Sequence, residues 1–268
     1  MFVRVLFSIA FVSSALTCSV QDSVQAILKR SLAANAADWK AAPGYDYFER
    51  DRQPGGGNRT YEELIIFGSP YEHLVAVNGK PLLREQQAEQ QRKLEGAILQ
   101  RRNESQHERA ERISKYERDR NRDHMLLEQL TRAFNFVLLG EQKLDRHDVY
   151  LLKAIPRPDY QPPNMESEAL RGMQGRLWID KETFQWVKVE AQVIRPISIE
   201  GFLAEVEPGT QFELEKMPVE DGIWLPKHYV MKANAKVLFV FRHKLQEEES
   251  YYGYRKPGQV TEELRGAD

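Results

Sequence analysis

The side chains best suited to chemistry are scattered along this chain. The six histidines are His73, His107, His124, His147, His228 and His243, and no two have the short helical spacing of a zinc motif. Asp145-Arg-His-Asp148 is the densest polar group. It falls where a hairpin turn is expected and reads as a solvated turn rather than a metal site. Cys18 is the only cysteine, so a chain processed beyond it can form neither a disulfide nor a thiolate metal site. Pro54-Gly-Gly-Gly57 lacks the helix and lysine that follow a phosphate-cradling loop, and it reads as a hairpin turn. There is no Gly-x-Ser-x-Gly elbow and no Ser/His/Asp arrangement supported by its context. Asn58-Arg-Thr60 and Asn103-Glu-Ser105 match glycosylation acceptors, which matter only in a eukaryotic secretory route. The expectation is a protein that is not an enzyme and uses no cofactor and no metal.

What remains is binding, and the elements that would support it run from Gly175 to Tyr254. Arg176-Leu-Trp-Ile-Asp180 turns through Lys181-Glu182 and returns as Phe184 to Ile194. On the return arm Val187, Val189, Ala191 and Val193 alternate with Lys188, Glu190 and Gln192, the period of a half-buried strand. The pattern recurs through Phe202–Ala204, Phe212–Leu214, Tyr229–Ala233 and Val237–Phe241. Strand parity then defines one apolar face. Phe136, Leu138, Tyr150 and Leu152 line it from the central hairpin, and Leu177, Ile179, Val187 and Val189 from the next. Phe202, Phe212, Leu214, Tyr229, Met231, Phe239 and Phe241 complete it. These are the candidate ligand-binding residues, and most of them also suit a core beneath helices. Trp178 and Trp186 fall on the opposite parity, where they would pair across their hairpin or form a surface patch.

The 268 residues suit one large domain, and 41% hydrophobic with 29% charged residues describes a globular chain. A formal net charge of −2 gives no global field that would recruit nucleic acid or an anionic membrane. Met1 to Arg4 is a short basic start, Val5 to Val12 an apolar run, and Ser13 to Ser19 a stretch of small residues. That run is far short of the roughly 20 residues that span a bilayer, so residues 1–19 read as an export signal cleaved near Ala15 or Ser19. A buried N-terminal helix is the alternative. Ala15-Leu-Thr-Cys18 lacks the preferred residues of a lipobox, which favours a secreted periplasmic protein over one anchored at Cys18.

Ser23 to Trp39 has apolar residues at helical spacing and is stopped by Pro43-Gly44. Strands follow at Tyr45–Arg50, Thr60–Phe67 and Tyr71–Val77, the last ending at Asn78-Gly79. From Leu83 to about Asn121 the chain is almost wholly charged or polar, and it reads as one or two exposed helices. Arginines there are offset by glutamates, so no nucleic-acid partner is expected. Leu94, Ile98, Ile113 and Tyr116 are the residues available to lay this insertion across the open side of the sheet. A short helix at Met125–Phe134 precedes the hairpin of Phe136–Leu139 and Val149–Ala154, and the tail after Lys256 reads as loose.

Leu177-Trp-Ile-Asp-Lys-Glu-Thr183 followed by Val187-Lys-Val189 resembles a recurring hairpin of the bacterial LolA/LolB lipoprotein-carrier superfamily. Gly222-Ile-Trp-Leu-Pro226 is similar to that family's later strand entry. The resemblance spans about residues 22 to 256. It implies an α+β fold, a curved antiparallel half-barrel with helices over its concave side. The domain would run from 20 to 268, with a charged helical insertion at about 81–134 and a loose tail at about 257–268. It also implies a non-catalytic carrier of acyl chains whose partner is a lipid or lipidated protein. RseB-type stress sensors and mycobacterial lipid-carrier lipoproteins are similar in fold, so a sensing or protein-interaction module with a filled core, docking an envelope protein, is the alternative. The insertion is longer and more charged than the family's usual lid.

Overall fold

The computed structural model describes residues 13–53, 56–199, 204–237 and 241–257. Phe202, Phe239, the basic start of the chain and most of the C-terminal tail lie outside the described residues. Helix α1 (Ser13–Ala41) is followed by β1 (Asp46–Gln53), β2 (Gly57–Ile66), β3 (Ser69–Val77) and β4 (Lys80–Pro81). Two long helices come next, α2 (Arg84–Asn103) and α3 (Gln106–Ala133). The hairpin β5 (Phe134–Leu144) and β6 (His147–Pro156) leads through α4 (Met165–Glu168) to β7 (Met173–Asp180) and β8 (Trp186–Val193). Two short strands, β9 (Ile197–Ile199) and β10 (Ala204–Val206), precede β11 (Gln211–Pro218), β12 (Trp224–Val237) and β13 (Phe241–Arg255).

Eleven of these strands run in the order β4-β3-β2-β1-β13-β12-β11-β8-β7-β6-β5, with β10 joining β12 and carrying β9. Every pairing is antiparallel. The end strands β4 and β5 do not pair with each other, so the sheet is an open, curved half-barrel with helices added: an α+β fold. Gly175 allows a close approach within it, because a Cβ there would stand 2.6 Å from the Glu190 carbonyl oxygen.

The charged insertion is two helices, broken at Glu104-Ser105. Ser105 caps α3: its Oγ accepts from the Glu108 N–H at 3.2 Å, and the Glu108 carboxylate accepts from the Ser105 N–H at 2.8 Å. Helix α3 also absorbs the expected short helix at Met125–Phe134. The pair does not lie across one side of the sheet. Leu94 and Ile98 of α2 pack on Leu64 and Ile66. Ile113 of α3 reaches Gly68 at the β2–β3 turn, and Tyr116 faces Tyr47 and Glu63. Since Glu63 and Leu64 leave opposite faces of β2, the two helices grip the β2–β3 hairpin from both sides. Arg101 closes the grip by donating to the carbonyls of Ile66, Ser69 and Pro70 at 2.9–3.0 Å.

Candidate functional site

Register brings most of the predicted face into rows that cross the sheet. Leu138, Leu152, Leu177, Val189, Leu214 and Tyr229 are successive partners, and the same row continues through Glu249 to Asp51. The adjacent row runs Phe136, Ala154, Gly175, Ala191, Phe212, Met231 and Glu247. A third pairs Tyr150 with Ile179 and Ile179 with Trp186. Each of the two long rows is apolar from β5 to β12 and acidic at β13, and the first continues through Asp51 on β1 to Arg59 on β2. The face has two halves of different chemistry.

The apolar half lies beneath α1. Val24, Ile27 and Leu28 of the helix share one core with Phe136, Leu152, Leu177, Ile179 and Trp186, and Leu152 and Ile179 are 0% exposed. Leu138, Tyr150 and Val189 pack half-buried against that core. Phe212, Leu214, Tyr229 and Met231 are half-buried farther along the sheet. Phe241 sits in β13 opposite Val237.

Val187 is the correction to the expected face. Trp178 pairs with Lys188 and Ile179 with Trp186, so Val187 is the extra residue of a β-bulge. The bulge sends Val187 to the opposite face, where it is buried with Val149, Trp178 and Trp224, and brings Trp186 into the α1 core. Neither tryptophan forms an exposed patch: Trp178 is buried, with the Lys188 ammonium 5.7 Å from its ring centroid.

A buried polar node ties α1 to the sheet. Lys216 donates to Asp38 at 2.5 Å and to the Asn35 side-chain oxygen at 3.0 Å. The other Asp38 oxygen accepts from the Gln185 amide at 2.9 Å and from the Trp224 N–H at 3.0 Å. Burial depresses the Lys216 ammonium below the usual lysine range, and Asp38 partly restores it. Four hydrogen bonds to charged groups in one buried spot hold the helix in place.

The acidic half, on β13, β1 and β2, is lined by tyrosines. The Tyr47 ring lies 5.3 Å from Tyr254 and 6.0 Å from Tyr251. Tyr251 donates to Glu249 and Tyr254 to the Pro226 carbonyl. Burial, then the neighbouring carboxylates, push Glu49 up to about 8. Burial and Glu72 push Glu63 up to about 7. Glu249 is raised too, first by burial. Sequence reading missed this half because its acids come from separate strands, Glu49 on β1, Glu63 on β2 and Glu249 on β13, which only strand pairing brings together; the run Glu247-Glu-Glu249 is a local signal.

The Asp145–Asp148 group does form a turn, with Asp145 at φ 53. His147 lies 3.0 Å from Asp180, whose carboxylate also accepts from the Glu182 and Thr183 N–H groups; burial pushes this carboxyl up, but these bonds together hold it below the usual range. Among the described residues no group of three His, Cys, Asp or Glu could hold a metal ion. On the opposite face of the sheet a pocket of about 420 Å³ is lined by Lys153, Arg176, Glu190, Glu213 and Lys232. Among the described residues no helix is long and apolar enough to cross a membrane.

No family model and no curated protein matches the chain. Among solved structures it is similar to a LolA superfamily protein from Nitrosomonas europaea, at 12% identity over 90% of this chain and 96% of that one, with a TM-score of 0.32. A lipoprotein-sorting protein domain from Vibrio parahaemolyticus shares 17% identity over 46% of this chain, which spans only 42% of that one, with a TM-score of 0.27. A DUF1329 family protein from Desulfovibrio piger matches at 8% identity over 87% and 92% of the two chains, with a TM-score of 0.30. Likeness at this level says nothing of what the chain binds.

Proposed function

We propose that this chain is an exported, non-catalytic binding protein that holds a lipid or a lipid-modified partner in its half-barrel. On this reading the mature protein is one periplasmic domain beginning near residue 20, and α1 is the element that moves to admit an acyl chain. One observation carries it. The apolar rows of β5 to β8 are covered by the Val24, Ile27 and Leu28 stripe of α1 together with Leu130 and Ala133 of α3, and α1 is tied to the sheet through Asp38. Lifting α1 would expose a continuous apolar trough whose shape and chemistry suit an alkyl chain.

A second reading has its own support. Leu152 and Ile179 are fully buried beneath α1, as in a filled core, and that suits a sensing or protein-docking module. The test is mass spectrometry of lipids extracted from the purified mature protein, with uptake of a lipophilic dye by the delipidated form. Bound lipid and saturable dye uptake support the carrier reading. Neither would leave the filled-core module in its place.

A further inference from the structure

The tyrosine-lined half of the face poses an electrostatic problem that the chain itself leaves open. Glu63 is 5% exposed, and among the described residues no hydrogen bond or ion pair reaches its carboxylate. Burying an unpaired carboxylate is costly. The charged groups acting most strongly on Glu49 are Glu249, Glu63, Glu72 and Asp51, all carboxylates. Glu247 adds another beside Glu249. From α3 come the Tyr116 ring and Arg120, whose guanidinium lies 5.4 Å from that ring's centroid but donates to Glu117 and to the Trp39 carbonyl. Arg59, at the rim, is exposed and bonds to Tyr61. The nearby Arg255 is spent on the opposite face, on Glu62 and the Phe48 ring.

We propose that this hollow on β13, β1 and β2 binds an organic cation, an alkylammonium or guanidinium group, with Glu63 and Glu49 as counter-charges and Tyr47, Tyr251 and Tyr254 as its walls. The cross-strand register supplies the geometry. Tyr47 stands opposite Glu63, and Glu49 stands between Tyr61 and Tyr251, so ring and carboxylate alternate around one space. Ring faces attract alkylated and planar cations, and dispersed carboxylates supply charge without the tight convergence a metal ion needs. Tyr47, Glu49, Glu249 and Tyr251 are half-buried, which leaves the hollow open to solvent. Entry of a cation would draw the protons off Glu49 and Glu63, so binding near neutral pH releases protons. This inference does not depend on the lipid reading, since it concerns the other half of the face.

The experiment is calorimetric titration of the full chain with two probes: spermidine, and an acetylated, amidated octapeptide of alternating glycine and lysine. Titrations at pH 7 in two buffers of different ionisation enthalpy count the protons released, and titrations at pH 8 give the strongest binding. The expected result is saturable binding of at least one probe with proton release. The double variant Glu49→Gln/Glu63→Gln should weaken it about tenfold or more, as loss of a buried charge partner does. Glu85→Gln, on the exposed start of α2, should leave it unchanged. Spermidine alone would mark a free polyamine as the source of the cation, and the peptide alone a basic side chain of a protein. Absence of binding at pH 8, equal binding by the double variant, or an equal loss in Glu85→Gln would overturn the proposal. Should the double variant not fold, binding without proton release in the unaltered chain would overturn it as well.

Discussion

Replacing Glu63 by glutamine should stabilise this protein, and the gain should depend on pH. The Glu63 carboxyl is pushed from 4.5 up to about 7 in the folded chain, chiefly by burial and then by Glu72. In the unfolded chain it ionises near its ordinary value. Between these two values the unfolded state releases its proton while the folded state retains it, so stability is lost as pH rises through the window. Raising the carboxyl from 4.5 to about 7, at 1.36 kcal/mol per pH unit, sets an upper bound of about 3 kcal/mol. Because part of the rise comes from the Glu72 charge and solvent screens it, roughly 1–3 kcal/mol is expected. Glutamine keeps the shape and cannot ionise. Urea midpoints followed by circular dichroism at pH 4.5, 6 and 8 would measure the difference. Glu63→Gln should match the unaltered chain at pH 4.5 and exceed it by that amount at pH 8. A variant equally destabilised at all three values would refute the reasoning, because Glu63 would then be making a specific bond as a carboxyl.

Two further outcomes test other parts of the fold. Asp38→Ala leaves the Lys216 ammonium buried without its counter-charge and should cost about 3–5 kcal/mol; amide exchange in α1 should accelerate more than in β6 and β7, and uniform acceleration would deny the node its role as the helix anchor. Gly175→Ala places a methyl 2.6 Å from the Glu190 carbonyl oxygen and should cost about 1–3 kcal/mol as the strands part, whereas an unchanged melting temperature would show that the approach is not tight.

The period-2 alternation of Val187 to Val193 and of Phe136 to Leu152 is a local signal, and it sufficed to place strands, turns and one apolar face. The capping chemistry of Ser105 and Glu108 and the Pro43-Gly44 stop are equally local. A one-residue bulge is not. Whether Trp186 or Val187 faces α1 depends on Ile179 pairing with Trp186, a contact across the hairpin, and one slipped residue exchanges the faces. The two grips of the insertion were hidden for a related reason: Leu94 and Ile113 both read as sparse apolar residues, and only the position of the β2–β3 hairpin between the helices sends them to opposite sides. The acidic hollow needed the most distant information. Glu49 and Tyr251 are about two hundred residues apart and meet only because β1 pairs with β13, closing the N-terminal strands onto the C-terminal one. Local sequence determined that each of these residues would lie in a strand. Which carboxylates would share a low-dielectric space, and so raise one another's proton affinity, was decided by strand order alone.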